Sequence, residues 1–139
     1  MVALFNSNDM QNVWVGGTIV NVDDTTSFRT IDREIMCWPE NGEPIDQLII
    51  DVETDDGTII RFFIRHENVY NFDGTIRNGT KYRELMCALD KAKLINQLPR
   101  EGDLLFMRWT STTDQYTSSG KKVPRKIWEV RYEKVDNND

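Results

Sequence analysis

The sequence predicts a mainly β domain with five strands and one helix between the third and fourth strands. Apolar residues recur at every second position in several segments, which is typical of half-buried strands. Only residues 80–95 change to the spacing of a helix. The chain has 139 residues, of which 39% are hydrophobic, so one domain can form a core without disulfide or metal support.

The first predicted strand spans about residues 13–22 and contains Gly16 and Gly17. A glycine pair inside a strand usually marks a bulge or a sharp coil, so we expect this strand to bend. Residues 23–46 are rich in charges and turn formers, with Trp38 directly before Pro39. They predict a loop long enough to be functional.

The second and third strands, residues 48–54 and 58–65, form a predicted hairpin with a three-residue loop in which Gly57 is left-handed. This register pairs Val52 with Ile60 and keeps the apolar residues on one face. A two-residue loop would place Val52 opposite Arg61 and mix the core and solvent faces.

The other face of this hairpin carries the polar residues and one aromatic side chain. In the predicted register Asp51 lies opposite Arg61, and Ile49 lies opposite Phe63. Arg65 follows two residues later on the same face. An aromatic ring between two cations suits base stacking combined with phosphate binding, whereas the alternative is an ordinary sheet surface in which Phe63 packs on Ile49 and Arg61 pairs with Asp51.

The predicted helix begins after Thr80, a plausible N-cap, and cannot continue through Pro99. Its apolar stripe consists of Leu85, Leu89, Ala92 and Ile95. The fourth and fifth strands span residues 104–109 and 127–134, separated by a 17-residue polar loop, 110–126.

This order of elements resembles the five-stranded OB-fold barrel, and in particular the OB-fold superfamily of single-stranded DNA-binding proteins, with small phage-like members as the nearest likeness. The resemblance covers about residues 13–135 of a single domain, 1–139, with short flexible termini at about 1–11 and 136–139. Another small α+β roll is the structural alternative. The resemblance implies that single strands bind the face of strands two and three, together with the loop between strands one and two and the loop between strands four and five.

The residues that would do this work are cationic or aromatic and fall on the elements that the resemblance assigns. Strand three supplies Arg61, Phe63 and Arg65. The loop between strands four and five supplies Tyr116, Lys121, Lys122, Arg125 and Lys126. Arg108 and Arg131 share the outward side of strands four and five, and Trp38 lies in the first long loop. A lysine-rich loop that is merely solvated is the alternative for the second group.

Enzymatic functions find little support in the sequence. His66 is the only histidine, and no P-loop, nucleotide-binding glycine motif or nucleophile elbow occurs. Cys37 and Cys87 are far apart, so we expect two ordinary thiols and neither a metal site nor a cofactor. These observations predict a non-enzymatic protein. The absence of an apolar N-terminal segment or membrane span predicts a cytoplasmic protein without membrane contact.

The formal net charge of −6 is unevenly distributed. Residues 1–55 contain 11 acidic and 2 basic residues, a net charge of −9, whereas residues 56–139 contain 12 acidic and 15 basic residues, a net charge of +3. The cations therefore fall on the strands and the loop that the resemblance assigns to nucleic acid.

These observations favour a sequence-tolerant single-stranded DNA-binding protein acting in replication, recombination or repair, where it would also meet protein partners or form a homo-oligomer. RNA binding on the same face stays open. A second hypothesis is an OB-like interaction or inhibitory module whose acidic surface mimics nucleic acid. The position of residues 32–46 relative to Phe63 and Arg65 would distinguish them, because acidic residues there would repel phosphates.

Overall fold

A computed structural model describes residues 2–4, 11–26, 37, 42–44, 46–66, 78–116 and 120–135. The elements are β1 (Val2–Leu4), β2 (Val15–Thr26), β3 (Asp46–Glu53), β4 (Ile59–Arg65), α1 (Lys81–Lys91), β5 (Leu104–Tyr116) and β6 (Lys122–Glu133). The predicted strands one to five correspond to β2–β6. The mainly β class is confirmed, with five antiparallel strands in one sheet and the helix between the third and fourth of them.

The sheet has the strand order β1-β4-β3-β2-β5-β6. Among the described residues no ladder joins β6 to β4, so the sheet is open along this seam. The N-terminal end of α1 spans the seam instead. The backbone N–H of Trp128 on β6 donates to the carbonyl oxygen of Gly79 at 2.8 Å, and Lys81 Nζ donates to the carbonyl oxygen of Phe63 on β4 at 2.8 Å.

The hairpin of β3 and β4 has the predicted register, with Val52 opposite Ile60 and Ile49 opposite Phe63. Gly57 has a φ of +84°, as the three-residue loop requires. An uninterrupted apolar inner face therefore identified both the register and the two faces of this hairpin.

The strands on both sides of β2 approach it closely at two glycines. A Cβ atom on Gly16 would lie 1.9 Å from the carbonyl oxygen of Leu105, and one on Gly17 would lie 2.0 Å from that of Glu53. The register shift against β3 occurs later, between Ile19 and Asn21. The predicted distortion is present, but the bulge follows the glycines instead of coinciding with them.

Three strands differ in extent from the prediction. β2 continues to Thr26, into the predicted first loop, and β5 and β6 continue as a two-stranded ribbon in which Tyr116 lies opposite Lys122. The predicted 17-residue loop is therefore wrong for most of its length. This segment is polar on both sides, so it lacks the apolar alternation of a half-buried strand, although its Thr and Tyr residues favour extended backbone.

The N-terminal segment and the C-terminal end of the helix also differ from the prediction. The sequence predicts a flexible terminus at about residues 1–11, whereas the backbone of residues 2–4 forms β1, parallel to β4. Thr80 is confirmed as the N-cap and accepts from the Arg83 N–H at 3.1 Å. The helix ends at Lys91, before the predicted Ile95, which is 61% exposed; Lys93 and Asn96 take positive φ values of 65° and 58° there.

The core lies between the inner face of the sheet and α1. Its buried side chains include Ile19, Leu48, Ile50, Phe62, Ile64, Leu85, Leu89, Leu105 and Met107. Trp109 and Trp128 are register partners on β5 and β6 and close the core beside the ribbon.

A buried polar cluster fastens the end of β6. Asp103 is 1% exposed and accepts from Arg100 Nε at 2.9 Å, from the Tyr132 hydroxyl at 2.5 Å and from the Val135 N–H at 2.9 Å. Burial alone would raise the pKa of Asp103, but the hydrogen bonds from Arg100, Tyr132 and Val135 outweigh it and lower that pKa. The cluster therefore holds an ionised carboxylate at this end of the sheet.

Candidate nucleic-acid interface

Phe63 is the exposed aromatic side chain on the outer face of β4. It lies in a row with Ile49 on β3 and Asp23 on β2, because each is the register partner of the next. Phe63 is 41% exposed and Ile49 is half-buried. The ring is thus accessible to a stacking partner, but one acidic residue lies in the same row.

Arg61 is engaged by a carboxylate on the neighbouring strand. Its Nε donates to Asp51 Oδ1 at 2.8 Å and its Nη2 donates to Asp51 Oδ2 at 3.1 Å, and Asp51 is 6% exposed. The hydrogen bonds to Asp51 outweigh partial burial and raise the pKa of Arg61. Of the two interpretations of this residue, the geometry matches the cross-strand ion pair; any phosphate contact would have to compete with Asp51.

Arg65 lies two residues beyond Phe63 on the same face and is exposed. Its register partner is Gln47, which is neutral and buried, so no acidic residue lies directly opposite it on β3. Arg65 thus places a positive charge on the same face as the Phe63 ring.

Lys81 connects this face to the ribbon and was not identified from the sequence. Besides its bond to the Phe63 carbonyl oxygen, its Nζ lies 5.3 Å from the centroid of the Trp128 ring. Lys126 Nζ lies 5.0 Å from the centroid of the neighbouring Trp109 ring. Lys126 lies two residues before Trp128 on β6 and shares its side, so each of the two paired tryptophans has an ammonium group beside its ring at the base of the ribbon.

The other ribbon residues extend away from this junction. Lys121 and Lys122 are exposed at its tip, and Lys122 Nζ lies 3.1 Å from Asp114 Oδ2 in a solvent-exposed ion pair. Arg125 is half-buried and lies opposite Thr113. The backbone of Tyr116 belongs to β5, and Trp38 lies outside the described residues.

Arg108 and Arg131 belong to a different surface, around Trp14. Their guanidinium carbons lie 4.5 Å and 5.1 Å from the centroid of the Trp14 ring. Arg108 Nη2 also lies 3.1 Å from Glu129 Oε1. The structure therefore separates these arginines from the Phe63 row, and Trp14, directly before β2, is a second residue that sequence reasoning missed.

His66 is packed against its neighbours at the end of β4. Its ring stacks on Tyr82 with centroids 4.9 Å apart, and Nε2 lies 3.7 Å from Asp24 Oδ1. Within the described ranges no group of three or more His, Cys, Asp or Glu residues is arranged to hold a metal ion. Nor does any helix of the described part have the length and apolar character needed to cross a membrane.

Comparison with protein-family models, with curated proteins and with solved structures found no match to this chain.

Proposed function

We propose that this protein is a non-enzymatic, sequence-tolerant single-stranded DNA-binding protein that acts in replication, recombination or repair. The observation that carries the proposal is the exposed Phe63 ring, with Arg65 beside it and Lys81 and Lys126 leading from it to the ribbon. An accessible ring next to cations is the combination that binds nucleotides without reading their sequence.

The proposed path of a strand begins on the outer face of β4. A base stacks on Phe63, which is accessible on the outer side. The phosphates then meet Arg65 and, at the base of the ribbon, Lys126. Because Lys81 already bonds the Phe63 carbonyl oxygen, it orients β4 relative to α1 and also adds positive charge at this point.

We also propose that the sheet closes as an OB-type barrel, with α1 bridging the seam between β4 and β6. The two hydrogen bonds across this seam, from Trp128 to Gly79 and from Lys81 to Phe63, support this reading. In such a barrel the ribbon of β5 and β6 stands beside the Phe63 face, where its lysines reach a bound strand.

The test is fluorescence anisotropy of a labelled oligo-dT, titrated at low and at moderate salt. Phe63→Ala removes the stacking ring, and since a base stack contributes about 1–3 kcal/mol, we expect affinity to fall about tenfold. Leu98→Ala is the matched control, because Leu98 is another large apolar side chain with 47% exposure, away from the face.

The contribution of the ribbon is tested by the double substitution of Lys121 and Lys122 by Gln, with Lys93 and Lys134 replaced in the control. The ribbon variant should show weaker binding and a smaller salt dependence, because each lost phosphate contact removes about 0.7 from the slope of log K against log salt. Oligo-U in place of oligo-dT separates RNA from DNA preference. Absence of micromolar binding at low salt would refute the proposal.

A second function, an acidic module that binds a basic protein partner, is favoured by one observation. Asp23 is exposed and lies in the same row as Ile49 and Phe63, where it would repel a phosphate. Most of the acidic segment 32–46 that would decide this question lies outside the described residues. The two functions predict opposite effects of neutralising Asp23.

A further inference from the structure

A second surface with the chemistry of a nucleotide site lies around Trp14, on the outer side of β2, β5 and β6. Trp14 is half-buried, and Phe106, which is opposite Gly16 on β5, is half-buried as well. Arg131 is the register partner of Phe106 on β6, so the cation and the ring share one face. Two aromatic rings and two guanidinium groups are therefore assembled from β5, β6 and the residue directly before β2.

The two arginines differ in how their charge is compensated. Arg108 is bound to Glu129, with its Nε 3.2 Å and its Nη2 3.1 Å from Oε1. In the described part of the chain no ion pair is made by Arg131, which is exposed. The Trp14 ring holds the Arg131 guanidinium beside it, which reduces the side-chain entropy that binding an anion would cost.

Trp14 also separates two clefts. One, of about 540 Å³, is lined by Trp14, Phe106 and Ile60 and by Asp55 and Asp56 of the β3–β4 turn. The other, of about 290 Å³, lies against α1 and is lined by Trp14, Arg131, Lys91 and Cys87. The larger cleft is apolar with carboxylates at one side. The smaller one has two cations, Arg131 and Lys91, and one carboxylate, Glu84, whose Oε2 accepts from the Gly79 N–H at 2.9 Å.

This distribution of charge orients a bound nucleotide. A carboxylate at the rim of the larger cleft repels phosphate but accepts hydrogen bonds from the amino and imino groups of a base. Hydrogen bonds from Thr54 and Thr58 lower the pKa of Asp56, so its carboxylate stays ionised. The base therefore belongs on the side of Trp14 and Phe106 next to the carboxylates, and the phosphate belongs on the side of Arg131 and Lys91.

We propose that the surface formed by Trp14, Phe106, Arg108 and Arg131 is a second contact site for single-stranded nucleic acid, with a base in the larger cleft and a phosphate on Arg131. This inference rests on the proposed function. An oligonucleotide long enough to extend beyond the Phe63 face would then continue around the domain to Trp14, and a short one would not.

The test compares labelled oligo-dT of about 6 and about 24 nucleotides, because single OB folds contact roughly 4–16 nucleotides. Arg131→Ala should weaken the longer oligonucleotide about five- to tenfold and leave the shorter one within about twofold, and the salt slope for the longer one should lose about 0.7. Arg131→Lys should restore the salt slope. Lys93→Gln is the matched control, since Lys93 is exposed and lines neither cleft.

A thiol measurement provides an independent readout. Cys87 is half-buried in the smaller cleft, whereas Cys37 is exposed. In a Cys37→Ser variant, the longer oligonucleotide should slow alkylation of Cys87 several-fold relative to the shorter one, because it covers the cleft.

Three outcomes would overturn the inference. If Phe63→Ala weakens the longer oligonucleotide while Arg131→Ala leaves its affinity and salt slope unchanged, the second site is wrong and the proposed function stands. If neither length binds the wild type, both fall. If polyglutamate competes as well as oligo-dT of equal charge, the surface binds anions in general and the base is not in the cleft.

Discussion

Replacing Tyr132 by Phe tests how the end of β6 is fastened to the sheet. The Tyr132 side chain is 8% exposed. Its hydroxyl donates to Asp103 Oδ2 at 2.5 Å, and the hydroxyl oxygen accepts from the backbone N–H of Arg100 at 2.9 Å. The substitution keeps the ring and removes both bonds. Since a hydrogen bond to a buried charged group contributes about 1.5–3 kcal/mol, we expect the free energy of unfolding to fall by about 2–3 kcal/mol.

The same cluster predicts a dependence on alkaline pH. Burial and then the hydrogen bond to Asp103 raise the pKa of Tyr132 to about 12, from 10.0 for an ordinary phenol. As pH rises, the unfolded state loses this proton first. The contribution of Tyr132 is therefore complete below about pH 10 and is lost as pH rises towards 12, by about 3 kcal/mol at 1.36 kcal/mol for each pKa unit.

The assay is urea unfolding followed by tryptophan fluorescence, at about pH 8, 10 and 12, for the wild type and Tyr132→Phe. The difference in stability between them should shrink between about pH 10 and 12. Tyr82→Phe is the control, because no hydrogen bond of the Tyr82 hydroxyl occurs in the described ranges. A difference that stays constant up to about pH 12 would refute the reasoning about the buried phenol.

Two further predictions concern the Phe63 row and the close approach of β5 to β2 at Gly16. Asp23→Asn should tighten oligo-dT binding about two- to fivefold if strands lie on Phe63, measured by anisotropy at low salt against Asp90→Asn on α1; unchanged or weaker binding favours the acidic-module function. Gly16→Ala should cost about 3 kcal/mol in urea unfolding, because its Cβ would lie 1.9 Å from the Leu105 carbonyl oxygen. Gly120→Ala, with a φ of +83° but nothing within 4 Å of the added Cβ, should cost only about 1 kcal/mol, and equal losses would contradict the close-approach argument.

The β3–β4 hairpin could be predicted from the sequence because its two faces differ in chemistry. Every residue on the inner face is apolar, whereas the outer face carries Asp51, Arg61 and Arg65, so a slip of one residue would bury Arg61 and expose Ile60. The same register predicted that Asp51 lies opposite Arg61, which is confirmed, and their ion pair at 2.8 Å was one of the two interpretations of Arg61. Burial on one side thus supplied the information for strand, register and ion pair together.

The ribbon could not be predicted in the same way, because neither of its sides is apolar. Residues such as Thr112 and Lys126 pair across it, but no hydrophobic period marks them as strand residues. The register across it is also shifted by a bulge between Trp109 and Ser111, so that Lys126 lies opposite Thr112 instead of Ser111. A bulge of one residue leaves little trace in a single sequence.

Trp14 was missed for a different reason, since its partners are distant in the chain. Arg108 and Arg131 reach it only because β2 pairs with β5 and β5 pairs with β6. The outward direction of both arginines could be read from strand parity. The ring that they contact could not, because the contact depends on the order of strands in the sheet.

Ion pairs within the fold change what the net charge of −6 implies for a nucleic-acid partner. Arg61, Arg100 and Arg108 are each bound to a carboxylate of their own, so they contribute much less to the field at the surface than a count of basic residues suggests. The same pairing removes Asp51, Asp103 and Glu129 from the acidic side. If nucleic acid binds as proposed, the charged groups next to the aromatic rings decide where its phosphates lie: Arg65 and Asp23 at the Phe63 row and Arg131 at Trp14. In that proposal the aromatic rings would carry much of the affinity, and a few cations would determine where the backbone of the strand lies.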